Sequence, residues 1–142
     1  MSIRDIDLDP DMSFGIGFPL NYDSETYGFF KQNYSYYEQI QDNIKCLLMT
    51  GVGERPMLPE FGSRLKEIVF EQNEPEILKA QVEEAIKEAL ELFLPFVTLV
   101  NTKLQANNNT LNIIGTFSTE FNETIVLSLS SDAGDFTNTD EF

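Results

Sequence analysis

Hydrophobic residues along this chain recur first at helical spacing and then switch to alternation. Between residues 34 and 50, Tyr37, Ile40, Ile44, Leu47 and Leu48 return every three or four positions, which gathers them on one helical face. Gly51 follows, in the place where a left-handed residue closes a helix. After the link 51–59, Leu65, Ile68 and Val69 predict a brief second helix, with Ser63 as its N-cap and Phe61 as a staple where it begins. Pro75 predicts the start of a third, because its missing N–H costs nothing in a first turn, and Glu76 there complements the helix dipole. Its apolar stripe, Leu78, Val82, Ala85, Ile86, Ala89, Leu90 and Phe93, runs to about Phe93, with a Glu83–Lys87 pair on the other side and Pro95 as the stop.

Beyond Pro95 the period changes. In residues 96–105, Phe96, Val100 and Leu104 share a face while Val97 and Leu99 blur the pattern, which predicts a strand covered on both sides. Leu111, Ile113 and Phe117 alternate with Asn112 and Thr116, and Ile125, Leu127 and Leu129 alternate with Thr124, Ser128 and Ser130. These read as an antiparallel meander turning at residues 107–109, an asparagine run, and at 119–123. Helices followed by strands predict an α+β fold, about three helices packed on one face of a small antiparallel or mixed sheet of three to four strands. Residues 34–130 form that domain. Residues 1–33, with Gly15, Gly17, Pro19 and Gly28 among aromatics and acids, read as an extended arm. Its Phe14, Phe18, Tyr22, Tyr27, Phe29 and Phe30 would cover either the chain's own domain or a neighbouring subunit. Residues 131–142 carry Asp132, Asp135, Asp140 and Glu141 and no Lys or Arg, so they read as a solvated or partner-bound acidic tail.

A chain of 142 residues, 42% hydrophobic, can bury a core without metals or disulfides. Nine basic against 24 acidic side chains give a formal charge of −15, which repels phosphate backbones and anionic lipid alike, so neither nucleic acid nor membrane is an expected partner. The same charge serves solubility or offers a docking face to a basic protein. Cys46 stands alone, which excludes an intramolecular disulfide, and its apolar neighbours predict a buried small side chain. One early basic residue, Arg4, precedes a run of aspartates with no apolar stretch, so no targeting segment or membrane span is read.

The absence of histidine removes the commonest general base and zinc ligand. Gly15 and Gly17 lack the further glycine or lysine of a phosphate-cradling loop. Glu54, Glu60, Glu67 and Glu71 cluster in sequence and could supply the carboxylate pair of a glycosidase, but 24 acids place such pairs on any surface. No catalytic residue, cofactor or metal is therefore expected.

The densest run of constrained residues is Gly53-Glu54-Arg55-Pro56-Met57-Leu58-Pro59-Glu60-Phe61-Gly62-Ser63. Two prolines fix φ, Gly62 permits a close approach and Phe61 can plug a core, which suits either a firm helix-to-helix connection or a recognition loop. Together with Ile44 to Leu48 before it and Val69-Phe70-Glu71 after it, this run resembles the signature of the gene-twenty-five-like baseplate wedge family of contractile phage tails, related to a type VI secretion baseplate subunit. The start, Asp5-Ile6-Asp7-Leu8, Phe14-Gly15 and Pro19-Leu20, is similar to that family's N-terminal arm, and the resemblance extends from residue 5 to about 130.

The resemblance implies a non-enzymatic virion component of a tail baseplate, assembled in the host cytoplasm, with six copies around the tail axis. Implied partners are other wedge proteins and their helical core bundle, the tail sheath subunit, and tube or hub proteins. The implied contact residues are Glu54, Arg55, Pro56, Pro59, Glu60, Phe61 and Gly62 in the loop, then Pro95 and Phe96. Where the family commonly has Glu-Pro-Arg to grip the core bundle, this chain has Leu94-Pro95-Phe96, so the contact there should be more hydrophobic. Val126 and Ser128 are expected on a strand edge that receives an arm of the first sheath ring, unless the chain's own tail caps that edge. Members of the family have been labelled lysozyme-like, so a peptidoglycan-degrading tail enzyme is one alternative. Another contractile injection machine and a soluble adaptor are the others.

Overall fold

The computed structural model describes residues 13–20, 22, 30–71, 74–107, 110–132 and 135–138. The chain divides into two compact units, residues 1–45 and 46–142. In the first, β1 (Gly15–Ile16) pairs antiparallel with β2 (Gln32–Asn33), and α1 (Tyr36–Met49) begins directly after. Asp42 of α1 ties these pieces together by accepting from the Phe18 N–H at 3.0 Å and from Asn33 Nδ2 at 2.7 Å. Asn33 is buried, and this charge-assisted bond satisfies an amide that would otherwise cost free energy there. Phe14 meets Tyr36 edge-on at 6.2 Å, while Tyr22 and Phe30 stay exposed. Asp5-Ile6-Asp7-Leu8, Tyr27, Gly28 and Phe29 lie outside the described residues.

The apolar face predicted for α1 is the buried one at Ile40, Ile44, Leu47 and Leu48, but Tyr37, placed on the same face and lying in the first turn, is exposed. Cys46 is half-buried rather than buried, since 100° per residue rotates it off the face that Ile44 and Leu47 share.

In the second unit, α2 (Leu65–Phe70) lies against α3 (Pro75–Phe93), and α3 lies against the first strand of a sheet. Pro75 opens α3 as predicted, and Val82, Ala85, Ile86, Ala89 and Leu90 are buried. The expected Glu83–Lys87 pair is replaced by Lys79–Glu83 at 3.8 Å, the neighbour one turn earlier. Arg64 occupies the N-cap of α2 and makes no side-chain cap. Ser63, expected there, instead donates its Oγ to the Leu48 carbonyl at 2.8 Å and its N–H to the Thr50 carbonyl at 2.8 Å. The hydroxyl is drawn back because Gly51 and Ser63 form a parallel bridge. That bridge also corrects the left-handed assignment of Gly51: the positive φ values fall at Gly53 (89°) and Gly62 (132°).

The sheet runs β3 (Val97–Asn107), β4 (Thr110–Thr119), β5 (Thr124–Asp132) and β6 (Asp135–Asn138), in spatial order, with every neighbouring pair antiparallel. Ile113, Phe117, Ile125, Leu127 and Leu129 form its buried row, as their alternation predicted. A bulge between Leu99 and Asn101 shifts β3 by one residue, so Val97 and Leu99 are followed on the inner side by Thr102 and Leu104. Val100, expected to share a face with Leu104, is therefore 64% exposed, while Thr102 is buried. Gly115 faces Thr102 and leaves room for the Phe117 ring, which lies 2.7 Å from where a Cβ would stand.

The β4–β5 turn closes as predicted, with Asn122 at φ 57° donating its N–H to the Thr119 carbonyl. Asn107 belongs to β3, opposite Thr110, and the remaining two residues of the first expected turn lie outside the described residues. Residues 135–138, in the stretch read as a solvated or partner-bound tail, form β6 on the edge of β5.

Candidate partner-binding site

The loop between α1 and α2 is tied to itself at almost every step. Gly53 donates its N–H to the Pro59 carbonyl at 2.7 Å, Glu54 to Gly51, Leu58 to Arg55, and Phe61 to Leu58. With Pro56 and Pro59 fixing φ, few conformations remain for it to lose on binding, which favours recognition. Gly62 closes the loop at a φ of 132°, where a Cβ would stand 2.5 Å from the Thr50 carbonyl oxygen. Only glycine fits there.

Arg55, Phe61 and Phe93 stack in sequence across this loop. The Arg55 guanidinium carbon lies 4.3 Å above the Phe61 ring, and Phe61 meets Phe93 edge-on at 5.0 Å. The aromatic pair is worth about 0.5–1.5 kcal/mol beyond its burial. Arg55 is exposed, so its contact with the ring adds about 0.5–1 kcal/mol. A cation held over a ring in this way still has its fork of N–H donors to offer a partner. Val52, Met57 and Leu58 are exposed around it, Met57 at 95%.

Glu54 accepts from Lys66 Nζ at 2.8 Å. That bond, and then a second from the Gly51 backbone, hold its carboxyl below the ordinary carboxylate value despite slight desolvation. Such a group stays ionised, whereas a general acid needs the opposite shift. Pro56, Pro59 and Glu60 are exposed along the same loop.

Phe93 is the last residue of α3, so the aromatic stack brings the loop to within two residues of Pro95. Pro95 is exposed and Phe96 half-buried. A cleft of about 300 Å³ beside them is lined by Leu90, Pro95, Val97 and Leu99 together with Lys87 and Glu91. The loop and the post-helix segment thus share one end of the unit. Val126 and Ser128 belong elsewhere, on β5, two strands away from β3.

On β5 the backbone alternates its bonding direction. Thr119 donates to the Glu123 carbonyl, so the odd positions of the strand exchange bonds with β4. The even positions, Thr124, Val126, Ser128, Ser130 and Asp132, point to the other edge. There β6 pairs in register from Leu129 to Asp132, and among the described residues no strand lies opposite residues 124–127. Val126 is 53% exposed.

Sequence reasoning found the loop through its prolines and glycines. It missed Phe93 as the plate under Phe61 and Lys66 as the partner of Glu54. Phe93 carried a signal, since it ends the α3 stripe, but Lys66 lies twelve residues from Glu54 with no pattern to join them. Among the described residues no group of three or more metal-ligating side chains could hold an ion.

The family described as baseplate wedge protein gp25 matches residues 35–119, which include the loop, α2, α3 and the first two long strands. Among curated proteins no significant sequence match is found. Among solved structures, the chain is similar to a Geobacter sulfurreducens protein provisionally described as a tail lysozyme, with 27% identity and a TM-score of 0.59 over 68% of this chain and 89% of that one. It is also similar to a chain of the anti-feeding prophage baseplate, seen by six-fold symmetrised cryo-electron microscopy. Identity there is 17% and the TM-score 0.56, over 89% of this chain and 86% of that one, a likeness of fold.

Proposed function

We propose a structural role from a premise now in hand: this chain belongs to the baseplate wedge protein gp25 family, whose members are baseplate structural proteins. It is a non-enzymatic wedge subunit that joins neighbouring wedge proteins and gives the first sheath ring its platform. The observation that carries this reading is the family match, which spans the rigid loop and the α3 end that the loop is stacked upon.

The two surfaces have different tasks. Glu54, Arg55, Pro56, Pro59, Glu60, Phe61 and Gly62, with Pro95 and Phe96, meet other wedge subunits and their helical bundle. The cleft beside Pro95 joins apolar Leu90, Val97 and Leu99 to polar Lys87, Glu91 and Thr98, and its apolar part supports a hydrophobic contact there, in keeping with Leu94-Pro95-Phe96 standing where charged residues are common. Val126 and Ser128 mark the edge of β5 toward the sheath. Six copies around a tail axis are in keeping with the six-fold symmetrised baseplate whose chain has this fold. Tube or hub proteins complete the partners, at a baseplate assembled in the cytoplasm.

Proline at position 126 tests the edge. Its lost N–H points away from β4, so Val126→Pro leaves the inner ladder intact. We expect tails that contain the subunit yet show bare tubes with little sheath by electron microscopy. Leu127→Pro, on the inward side, should unfold the unit and serves as the contrast. Fully sheathed tails from a natively folded Val126→Pro variant would leave the protein as a wedge spacer only.

A further inference from the structure

The outer edge of β5 is divided in two. Residues 124–127 have no strand opposite them among the described residues, while Leu129 to Asp132 are covered by β6 of the same chain. An extended arm docking along the whole edge therefore meets its own end of the sheet already occupied. We propose that β6 is a self-donated strand that caps this half of the edge and is displaced when an extended partner segment adds to β5. This rests on the reading of that edge as strand-accepting.

Two observations support displacement over permanent pairing. First, among the described residues β6 has four, against eleven, ten and nine in β3, β4 and β5, so there it holds the fewest ladder bonds of the sheet. Second, residues 131–142 contain four acidic residues and no basic one. An incoming segment carrying Lys or Arg is attracted by that charge. The partner so defined is an extended, basic segment of about eight or nine residues, long enough to pair from Thr124 to Asp132.

The cap also protects. An unpaired edge of nine residues would pair with a second copy of this chain, and a short strand laid on part of it hinders that route. The cap must then yield only to a segment longer and better charged than itself.

Two proline substitutions in β6 separate a displaceable cap from a fixed strand. Because the even positions of β5 bond outward, the register makes Asp132 with Asp135, and Ser130 with Thr137, the pairs that exchange bonds. Thr137→Pro removes an N–H that faces β5, whereas Asn138→Pro removes one that faces away. Hydrogen exchange at the amides of Ser130 and Asp132 in the purified chain should quicken about tenfold in Thr137→Pro, the scale of one or two lost bonds, and remain near wild type in Asn138→Pro. Tails assembled with Thr137→Pro should start sheath at least as readily as wild type, and faster when sheath subunit is limiting. If Thr137→Pro frees the amides but produces bare tubes, β6 is a permanent part of the platform and the cap is overturned. Unchanged exchange in Thr137→Pro also overturns it, because the strand is then not held by those bonds. The edge itself is judged by Val126→Pro: sheathed tails there refute strand addition, while bare tubes there with either adverse result at Thr137 refute only the cap.

Discussion

At position 55 the choice of cation matters through shape. The guanidinium carbon lies over the Phe61 ring at 4.3 Å and the group carries a planar fork of donors, whereas a lysine ammonium has neither a flat face nor a fork. Because Arg55 is exposed and its stacking is worth about 1 kcal/mol at most, Arg55→Lys should leave thermal unfolding within a few degrees of wild type. We expect wedge assembly to fall several-fold all the same. Particle yield in a complementation assay, set beside the unfolding curve of the purified variant, checks both halves. Normal yield would remove the special role given to this side chain. Gly62 is the opposite kind of residue, fixed by the fold: its φ and the Thr50 carbonyl at 2.5 Å leave no room for a side chain.

Among the elements, β3 carries the clearest local conflict. Its bulge turns Thr102 inward, where the residue is 1% exposed and its hydroxyl has no hydrogen-bond partner among the described residues. A buried unpaired hydroxyl costs about 1–3 kcal/mol, and valine keeps the shape without it. Thr102→Val should therefore stabilise the chain by about 1 kcal/mol and raise the melting temperature by a few degrees, read by calorimetry. A lowered melting temperature would mean that the hydroxyl is bonded in solution. The same strand shows why sequence periodicity ran out where it did. α3 was legible from end to end because a stripe of apolar residues, an opening proline and a closing proline all act locally. The bulge at Val100 depends on register against β4, which no single strand's pattern contains, so the face of β3 was misread while β4 and β5 were read correctly. β6 was illegible for a related reason: four residues in an acidic stretch become a strand only because β5 offers them an edge. In the candidate site, prolines and glycines announced the loop, but its partners Phe93 and Lys66 come from distant positions that only folding brings near.

For the molecule as a whole, the question is whether a tail protein with this fold also cuts peptidoglycan, as the provisional description of its Geobacter sulfurreducens relative raises. A retaining or inverting glycosidase needs one carboxyl held protonated by an apolar setting and a second across a sugar cleft. Glu54, foremost in the acidic cluster, is held below its ordinary value by Lys66 and then by the Gly51 backbone, so at neutral pH it has no proton to give. Its exposed position beside Lys66 is that of a surface ion pair, and such pairs contribute roughly 0–1 kcal/mol. A net charge of −15 further repels anionic wall polymers. We therefore expect the purified chain to release no soluble fragments from peptidoglycan at neutral or mildly acidic pH. The measurement needs Glu54→Gln and Glu60→Gln beside the wild type, each with its unfolding curve. Turnover by the wild type that disappears in either folded variant would make the chain an enzyme as well as a wedge subunit, and a flat response from all three leaves its work to the surfaces that bind other proteins.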